Sequence, residues 1–421
     1  MLIVSKRDYV NYTNVMSNLK NTKNQNKTLK LNRIIFALLL FGGLISCNTS
    51  IIKVPNSPYP ISNDSFSLDT IAHGFTIPYG IAIVEENEYF ITDRVGKMFH
   101  LKDGNQTEIG GMPEVATFGT PGIPAILHGG LMDISIHPNY STNPWIYISY
   151  LNPEGLAMVS RLKIQQNTAT QFEIIFTARN QDYTGNGMRI VWEDDTHFFL
   201  NIGNSNWSSS SNPVLYAQDF NHDAGKIHRL MEDGSIPADN PIFDSLESPT
   251  TIWSYGHRDV QGLYFDESTN TLFGVEHGPK GGDEFNIIEK EKNYGWPLFS
   301  NGINYDGAWV STISEDSAAK FTVFPEHYWT VPTNDGGQAI APACLLKVNG
   351  SNISDWNDYF LFGSLAYRRL MKYNRETKET FGLNIEGRVR TIKQLPSGDI
   401  IALIERNDLN KSNGSIVRIS Q

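Results

Sequence analysis

One pattern of residues recurs along this 421-residue chain, and it narrows the fold more than any other feature. An apolar run of strand length is followed by a polar turn, a second apolar run, and a later run carrying a basic residue. The first copy reads GIAIVEENEYFITDRVGKMFHL over residues 80–101. The second opens LMDISIHPNY at Leu131, continues WIYISYL and closes MVSRLKI; the third opens MRIVWEDDTHFFLNIGN at Met188 and closes GKIHRLMEDGS. The fourth is QGLYFDESTNTLFGVEHG from Gln261, the fifth ACLLKVNG from Ala343 with YFLFGSLAYRRLMKY, and the sixth VRTIKQLPSGDIIALIE from Val389 with GSIVRIS. The runs are short and bounded by Gly, Pro, Asn and Asp, and long helical periodicity is scarce. A unit this small cannot bury both of its faces alone, so neighbouring units must stack. Six copies at intervals of roughly 50 to 80 residues predict an all-β chain folded as a six-bladed β-propeller; a sandwich or barrel of equal strand density is the alternative. The segment FSLDTIA, residues 66–72, precedes the first copy and is expected to close the ring against the last blade.

In a ring of blades, ligands bind on the loops at one end of the central channel. The stretch over residues 255–297, YGHRDVQGLYFDESTNTLFGVEHGPKGGDEFNIIEKEKNYGWP, holds the densest set of residues that packing alone does not ask for. Gly278, Pro279, Gly281 and Gly282 force an irregular loop whose carbonyls are turned away from any regular ladder. Asp283 and Glu284 follow at once, so carboxylates stand beside freed carbonyls, the hard-oxygen chemistry that calcium prefers. A tight hairpin with a solvated acidic tip is the plainer reading. His257 and Arg258 come just before a strand-like run, where they could meet an anion.

The formal net charge of −11 argues against a nucleic-acid partner, which selects basic faces. GPKGGDE lacks the ending of a phosphate-binding loop, and there is no cysteine pair for zinc. At the N-terminus, Lys27, Lys30 and Arg33 precede the apolar run IIFALLLFGGLI over residues 34–45, which is short for a bilayer span and has the make-up of a signal-peptide core. It ends in Leu44-Ile45-Ser46-Cys47, which resembles the lipobox of bacterial lipoproteins. Cys47 is accordingly expected to carry lipid, with residues 1–47 a signal segment, residues 48–65 a flexible tether, and the propeller over residues 66–421 held at the bacterial cell envelope, facing the periplasm or cell exterior. An uncleaved N-terminal anchor is the alternative. The one other cysteine, Cys344, then has no disulfide partner and reads as a small buried hydrophobe.

GHR-x-x-QGL, then EHGP-x-GGDE-x-N, then NYGWP, in that order, resemble the signature of the soluble pyrroloquinoline-quinone (PQQ) dependent glucose/sorbosone dehydrogenases and aldose sugar dehydrogenases. The resemblance covers about residues 77–420. It implies a six-bladed propeller that uses PQQ and Ca2+ to oxidise an aldose at its anomeric carbon to a lactone. Electrons would pass to a quinone or cytochrome acceptor. It implies that the main-chain carbonyls of Gly278 and Pro279 hold an active-site calcium, and that Asp283, Glu284 and Tyr294 form a structural calcium site nearby. PQQ carries three carboxylates, and the resemblance assigns Arg258, Gln261, Arg388 and Arg390 to it. Arg388 and Arg390, two apart on a predicted strand, share a face. Asp259 stands where the family commonly has Asn, and His277 where it has Gln or His; both join the expected cofactor residues, and Arg258 is also expected at the catalytic centre.

Two positions depart from the family pattern. The catalytic base of the family is a His in an H-x-x-G-R-L motif; the matching stretch is GNGMRI, where Arg189 fits the motif's Arg but Gly185 replaces the His. Ala366 falls where glucose dehydrogenases carry a cofactor-binding Lys. Replacement bases are sought in Asp182 and His128, with His222 a third candidate. A propeller that binds calcium and sugar without dehydrogenase chemistry, and a calcium-dependent lactonase, are the competing functions.

Overall fold

The computed structural model of the chain describes residues 56–117, 129–181, 187–204, 215–243, 246–311, 313–331, 333, 337–405 and 413–421. The sixfold pattern becomes six four-stranded antiparallel sheets. Blade one is Pro78–Glu85, Glu88–Asp93, Lys97–Lys102 and Asn105–Ile109; blade two is Leu131–Ile136, Ile146–Leu151, Ala157–Gln165 and Thr168–Thr177. Blade three is Gly187–Trp192, His197–Ile202, Lys226–Met231 and Ile252–Tyr255; blade four is Val260–Asp266, Thr271–Glu276, Asp283–Ile288 and His327–Trp329. Blade five is Pro342–Lys347, Phe360–Ser364, Arg369–Tyr373 and Thr380–Glu386. Blade six takes Arg388–Gln394, Ile400–Glu405 and Gly414–Ser420 from the end of the chain, and its fourth strand, Ser67–Phe75, from before blade one. That strand runs antiparallel to the last, with Ser67 opposite Ser420 and Phe75 opposite Gly414. The ring is therefore a six-bladed β-propeller closed where the pattern predicted.

The first strand of each blade lies innermost and touches the first strands of its two neighbours around the channel. A hydrophobic cluster fills each junction. Phe198, Leu200 and Ile190 of blade three meet Tyr147, Val159 and Met132 of blade two; Phe360 and Phe362 of blade five meet Phe273 and Phe285 of blade four. Cys344 is buried in the junction of blades five and six as a free thiol. Every inner strand also slips register against its neighbour near its first residues, between Pro78 and Ile81, Leu131 and Ile134, Gly187 and Ile190, Val260 and Gly262, Ala343 and Leu346, and Val389 and Thr391. Such bulges bend a strand and re-aim its side chains. All six sit at the same end of the ring.

The expected tether is not free over its described part. Gly382 of blade five donates its N–H to Pro60 and accepts one from Ser62. Tyr59 packs edge-on against Tyr367. Asp64 accepts from the buried Lys372 at 2.5 Å and from the Trp356 indole at 2.7 Å. A buried ammonium needs a carboxylate partner, and it is the segment before the propeller that supplies one.

The channel itself is plugged by Arg189, 4% exposed. Its guanidinium donates to the carbonyls of Gln261 at 2.9 Å and Arg390 at 2.6 Å, to Thr391 Oγ1 at 2.8 Å and to Asp133 at 3.3 Å. It also stacks on the Tyr79 ring at 4.2 Å. One side chain from blade three thus joins blades one, two, four and six. Replacing Arg189 by Met is expected to destabilise the propeller by about 3–5 kcal/mol, because it removes the counter-charge of the buried Asp133 carboxylate and the guanidinium donors of two carbonyls. Lys, which lacks the planar fork, should restore only part of that. Urea unfolding of the three proteins measures both; a Met variant within about 1 kcal/mol of wild type would contradict this role.

Candidate functional site

The loop between the second and third strands of blade four is folded so tightly that glycine is required. A Cβ on Gly278 would lie 2.1 Å from the Gly281 carbonyl, and one on Gly282, at φ +69°, 2.4 Å from the Gly302 nitrogen. Asp283 anchors this turn. Its Oδ1 accepts the Gly278 N–H at 2.8 Å, and its Oδ2 the N–H groups of Ile340 at 2.6 Å and Ala341 at 2.8 Å. Burial raises its pKa to about 6 against the pull of those N–H groups. Asp283, expected as a metal ligand, therefore spends both oxygens on backbone.

The acidic pair that faces open space is a different one. Glu284 lies directly across the ladder from Glu276, and both line a cavity of about 10 Å³ together with Gly278, Gly282, Tyr294 and Ser300. That is room for one water or one ion. Burial raises the pKa of both carboxyls, and the charge of Glu276 raises Glu284 further. Among the described residues compensation is partial: Glu276 meets His257 Nδ1 at 2.9 Å and accepts the Arg258 N–H at 3.4 Å, and Glu284 accepts from Asn286 at 3.1 Å. Two buried carboxyls facing an ion-sized space, with the loop's glycines alongside, fit a hard divalent cation that would take the place of their protons. Tyr294, expected as a metal ligand, uses its hydroxyl on the Ile287 carbonyl at 2.5 Å and the Glu289 N–H at 2.9 Å. Its ring stacks on His257 at 4.4 Å. His257 is fully buried and bonded to Ser254 and Glu276, so it meets no external anion.

Arg258 aims its guanidinium at the carbonyls of His277 at 2.8 Å and Gly278 at 2.9 Å, over the face of Trp296 at 5.2 Å. The Gly278 carbonyl expected for calcium here accepts from Arg258. Among the described residues, the Arg258 Nε is buried without a partner, as are both side-chain polar atoms of Asn204, whose backbone N–H donates to the Arg258 carbonyl at 2.5 Å. Unmet buried polar groups of this kind mark a place built for a ligand. Behind them, Asp259 accepts from Gln261 at 2.7 Å and lies 3.5 Å from His277 Nδ1, while His277 Nε2 rests on the Pro342 carbonyl at 2.8 Å. Burial lifts Asp259 to about 7. Burial lowers His277 to about 3, with Arg258, Arg390 and Arg388 adding to the depression. The two blade-six arginines therefore act on the blade-four site.

Arg388 and Arg390 share one carboxylate, Glu405, at 3.4 and 2.5 Å. Burial works to raise Glu405, but Arg390, Arg388 and Arg94 outweigh it and hold the carboxyl at about 2. Arg94, from blade one, donates to the Gly129 carbonyl at 2.7 Å, and its own pKa falls to about 10 through burial and the nearby Arg390. With two guanidinium groups on one carboxylate and Arg94 near enough to act on it, positive charge is in excess here, a cradle for a polyanion. Arg94, Glu405 and Glu276 were missed by sequence reasoning. Each stands at or just past the end of a blade's second strand, and that shared place was the available signal. Of the candidate bases, His128 and Asp182 lie outside the described residues, as do Gly185 and Cys47. His222 stacks on Tyr216 at 4.0 Å and accepts the Ala224 N–H at 3.1 Å.

The acidic cavity has a testable pH signature. Burial lifts the folded-state pKa of Glu276 to about 8 from the ordinary 4.5, so the folded chain holds this proton more tightly than the unfolded one. The resulting stability is full below about pH 4.5 and is lost as pH climbs through about 8. Compared with Glu276→Gln, which mimics the protonated form at every pH, chelator-treated wild type should lose melting temperature over that interval. Added calcium at about 100 times its Kd should return about 2.7 kcal/mol at alkaline pH. Calorimetry of both proteins decides; parallel pH profiles would remove the case for a strained acid pair.

The sequence model of Glucose / Sorbosone dehydrogenase matches residues 75–418. Aldose sugar dehydrogenase YliI of Escherichia coli is 30% identical over 359 residues, 82% of this chain and 90% of that protein. Quinoprotein glucose dehydrogenase B of Acinetobacter calcoaceticus is 26% identical over 282 residues, 60% of this chain and 57% of its own length. The crystal structure of the soluble aldose sugar dehydrogenase from Escherichia coli, in its apo form, superposes with a TM-score of 0.70 at 25% identity, covering 85% of this chain and 99% of that one. A ring of six blades, a glycine-folded acidic loop on blade four and an arginine cradle beside it thus coincide with a match over nearly the whole propeller, and the chain belongs to the glucose/sorbosone dehydrogenase family.

Proposed function

We propose that this chain is a PQQ- and calcium-dependent aldose dehydrogenase that oxidises the anomeric carbon of a sugar to the lactone and passes electrons to a quinone or cytochrome. The observation that carries the reading is the pairing, at one end of the ring, of a net-cationic arginine cradle with an ion-sized acidic cavity. Arg94, Arg388 and Arg390 would hold the cofactor's carboxylates, and Arg258, with its unpaired Nε, would orient it against Trp296. Glu276 and Glu284 would hold calcium at the cavity, with the Gly278 and Pro279 carbonyls, which the family resemblance assigns to it, completing the set. Bound PQQ supplies a two-electron hydride acceptor. The chain's own task is then to present the sugar and take its anomeric proton, which falls to His128 or Asp182, since Gly185 has no side chain to do so. Buried Asp259, with a pKa near 7, adds a carboxyl able to donate or accept a hydrogen bond beside Gln261. Lipid on Cys47 would hold the ring at the cell envelope, within reach of a membrane acceptor.

The absent motif His keeps a second reading in play, a propeller that binds cofactor and calcium without turnover. A spectrophotometric titration of the full-length protein with PQQ in calcium, followed by a panel of aldoses, separates the two. Binding followed by sugar-driven reduction is expected, with Arg390→Ala weakening PQQ binding on the order of tenfold or more. Binding without reduction by any sugar would favour the second reading. Absence of PQQ binding would overturn both.

A further inference from the structure

At the end of the channel away from the arginine cradle, beyond the Arg189 plug, the inner strands of blades two to six surround a second cavity of about 330 Å³. That is the lower end of the size range for small-molecule sites. Its wall mixes apolar residues, among them Trp192, Leu263, Phe265, Leu345 and Ile392, with polar ones. Most of the polar groups there are already matched. The Trp192 indole donates to Ser135 at 3.1 Å, Lys347 meets Asp266 at 2.8 Å, and Gln394 and Asn349 exchange hydrogen bonds at 2.8 and 3.2 Å. Lys393 is the exception. Among the described residues it has no hydrogen bond and no ion pair, yet it lines the cavity from the inner strand of blade six.

We propose that this far mouth is a binding site for a small monocarboxylate with an apolar or aromatic body, its carboxylate on Lys393 and its body against Trp192 and Phe265. A single unpaired ammonium among polar groups already matched to one another selects one negative charge; a neutral sugar would strip water from its hydroxyls without finding free partners. Burial depresses the Lys393 pKa and Arg189 adds to this, against the pull of Asp133, so the ammonium has lost solvation that an arriving carboxylate would replace. The site is separate from the cofactor end, because Arg189 and its partners fill the channel between them.

Calorimetric titration of the full-length protein with phenylacetate and with its neutral isostere phenylacetamide tests this. Phenylacetate should bind at least about tenfold more tightly than the amide, and Lys393→Gln should remove that difference while Lys393→Arg keeps it. Arg390→Ala, at the other end of the channel, should leave phenylacetate binding as in wild type. Equal affinity for acid and amide, binding of neither, or loss of phenylacetate binding in Arg390→Ala rather than Lys393→Gln would each overturn the proposal. Should Lys393→Gln fail to fold, an acid-over-amide preference that survives in Arg390→Ala still supports the far mouth, and its loss there overturns the proposal.

Discussion

A single guanidinium at the centre of the ring sets the terms for the rest of the molecule. Propeller blades touch through apolar faces, and those faces alone allow sliding, since area burial has no direction. Arg189 supplies direction. Its planar fork meets acceptors from three other blades, and the Tyr79 ring beneath it adds a fourth. Two of those acceptors are the backbone carbonyls of Gln261 and Arg390. The plug therefore fixes the main chain beneath two of the residues that face the candidate cofactor site. The Arg of the family motif is thus a structural member here, whatever replaces the motif's His.

Charge is distributed around that plug in an uneven but ordered way. Blade four contributes buried acid and blade six buried base, so the two halves of the site have opposite needs. Glu276 and Glu284 stand across one ladder with one histidine and one amide between them, and the ladder gains nothing from their proximity. Arg388 and Arg390 share a single carboxylate. Neither arrangement is the cheapest way to fill a blade end. Each becomes reasonable when the missing counter-charge arrives from outside, as a cation for the first and as a polyanion for the second.

The blade count and the closing strand were legible because they are local: each depends on apolar runs of strand length and on turn residues between them. The glycine loop was legible for the same reason. The anchoring task of Asp283 was not legible, because an acid beside a glycine loop looks the same in sequence whether it serves a metal or three backbone N–H groups. Arg94, Glu405 and Glu276 escaped because each follows an ordinary apolar strand, and their convergence exists only once the ring is closed. The anchoring of residues 56–65 was not legible because their proline content is visible locally, whereas the partners of Asp64, Lys372 and Trp356, lie some 300 residues further along the chain.

The strand Ser67–Phe75, which completes blade six, has a consequence for the order of events during synthesis. It is the first propeller strand to leave the ribosome, and its partner is the last. Throughout translation it is an unpaired edge, the kind of segment that recruits other chains. Its composition answers that exposure: Asp69, Thr70 and His73 interrupt the apolar residues, and most of the strand stays solvent-facing even after pairing. The other five blades can each form as soon as their own residues are made, so the ring behaves as a chain of early-finished parts awaiting one late clasp. A nascent chain stalled before Gly414 would hold five blades and an open seam.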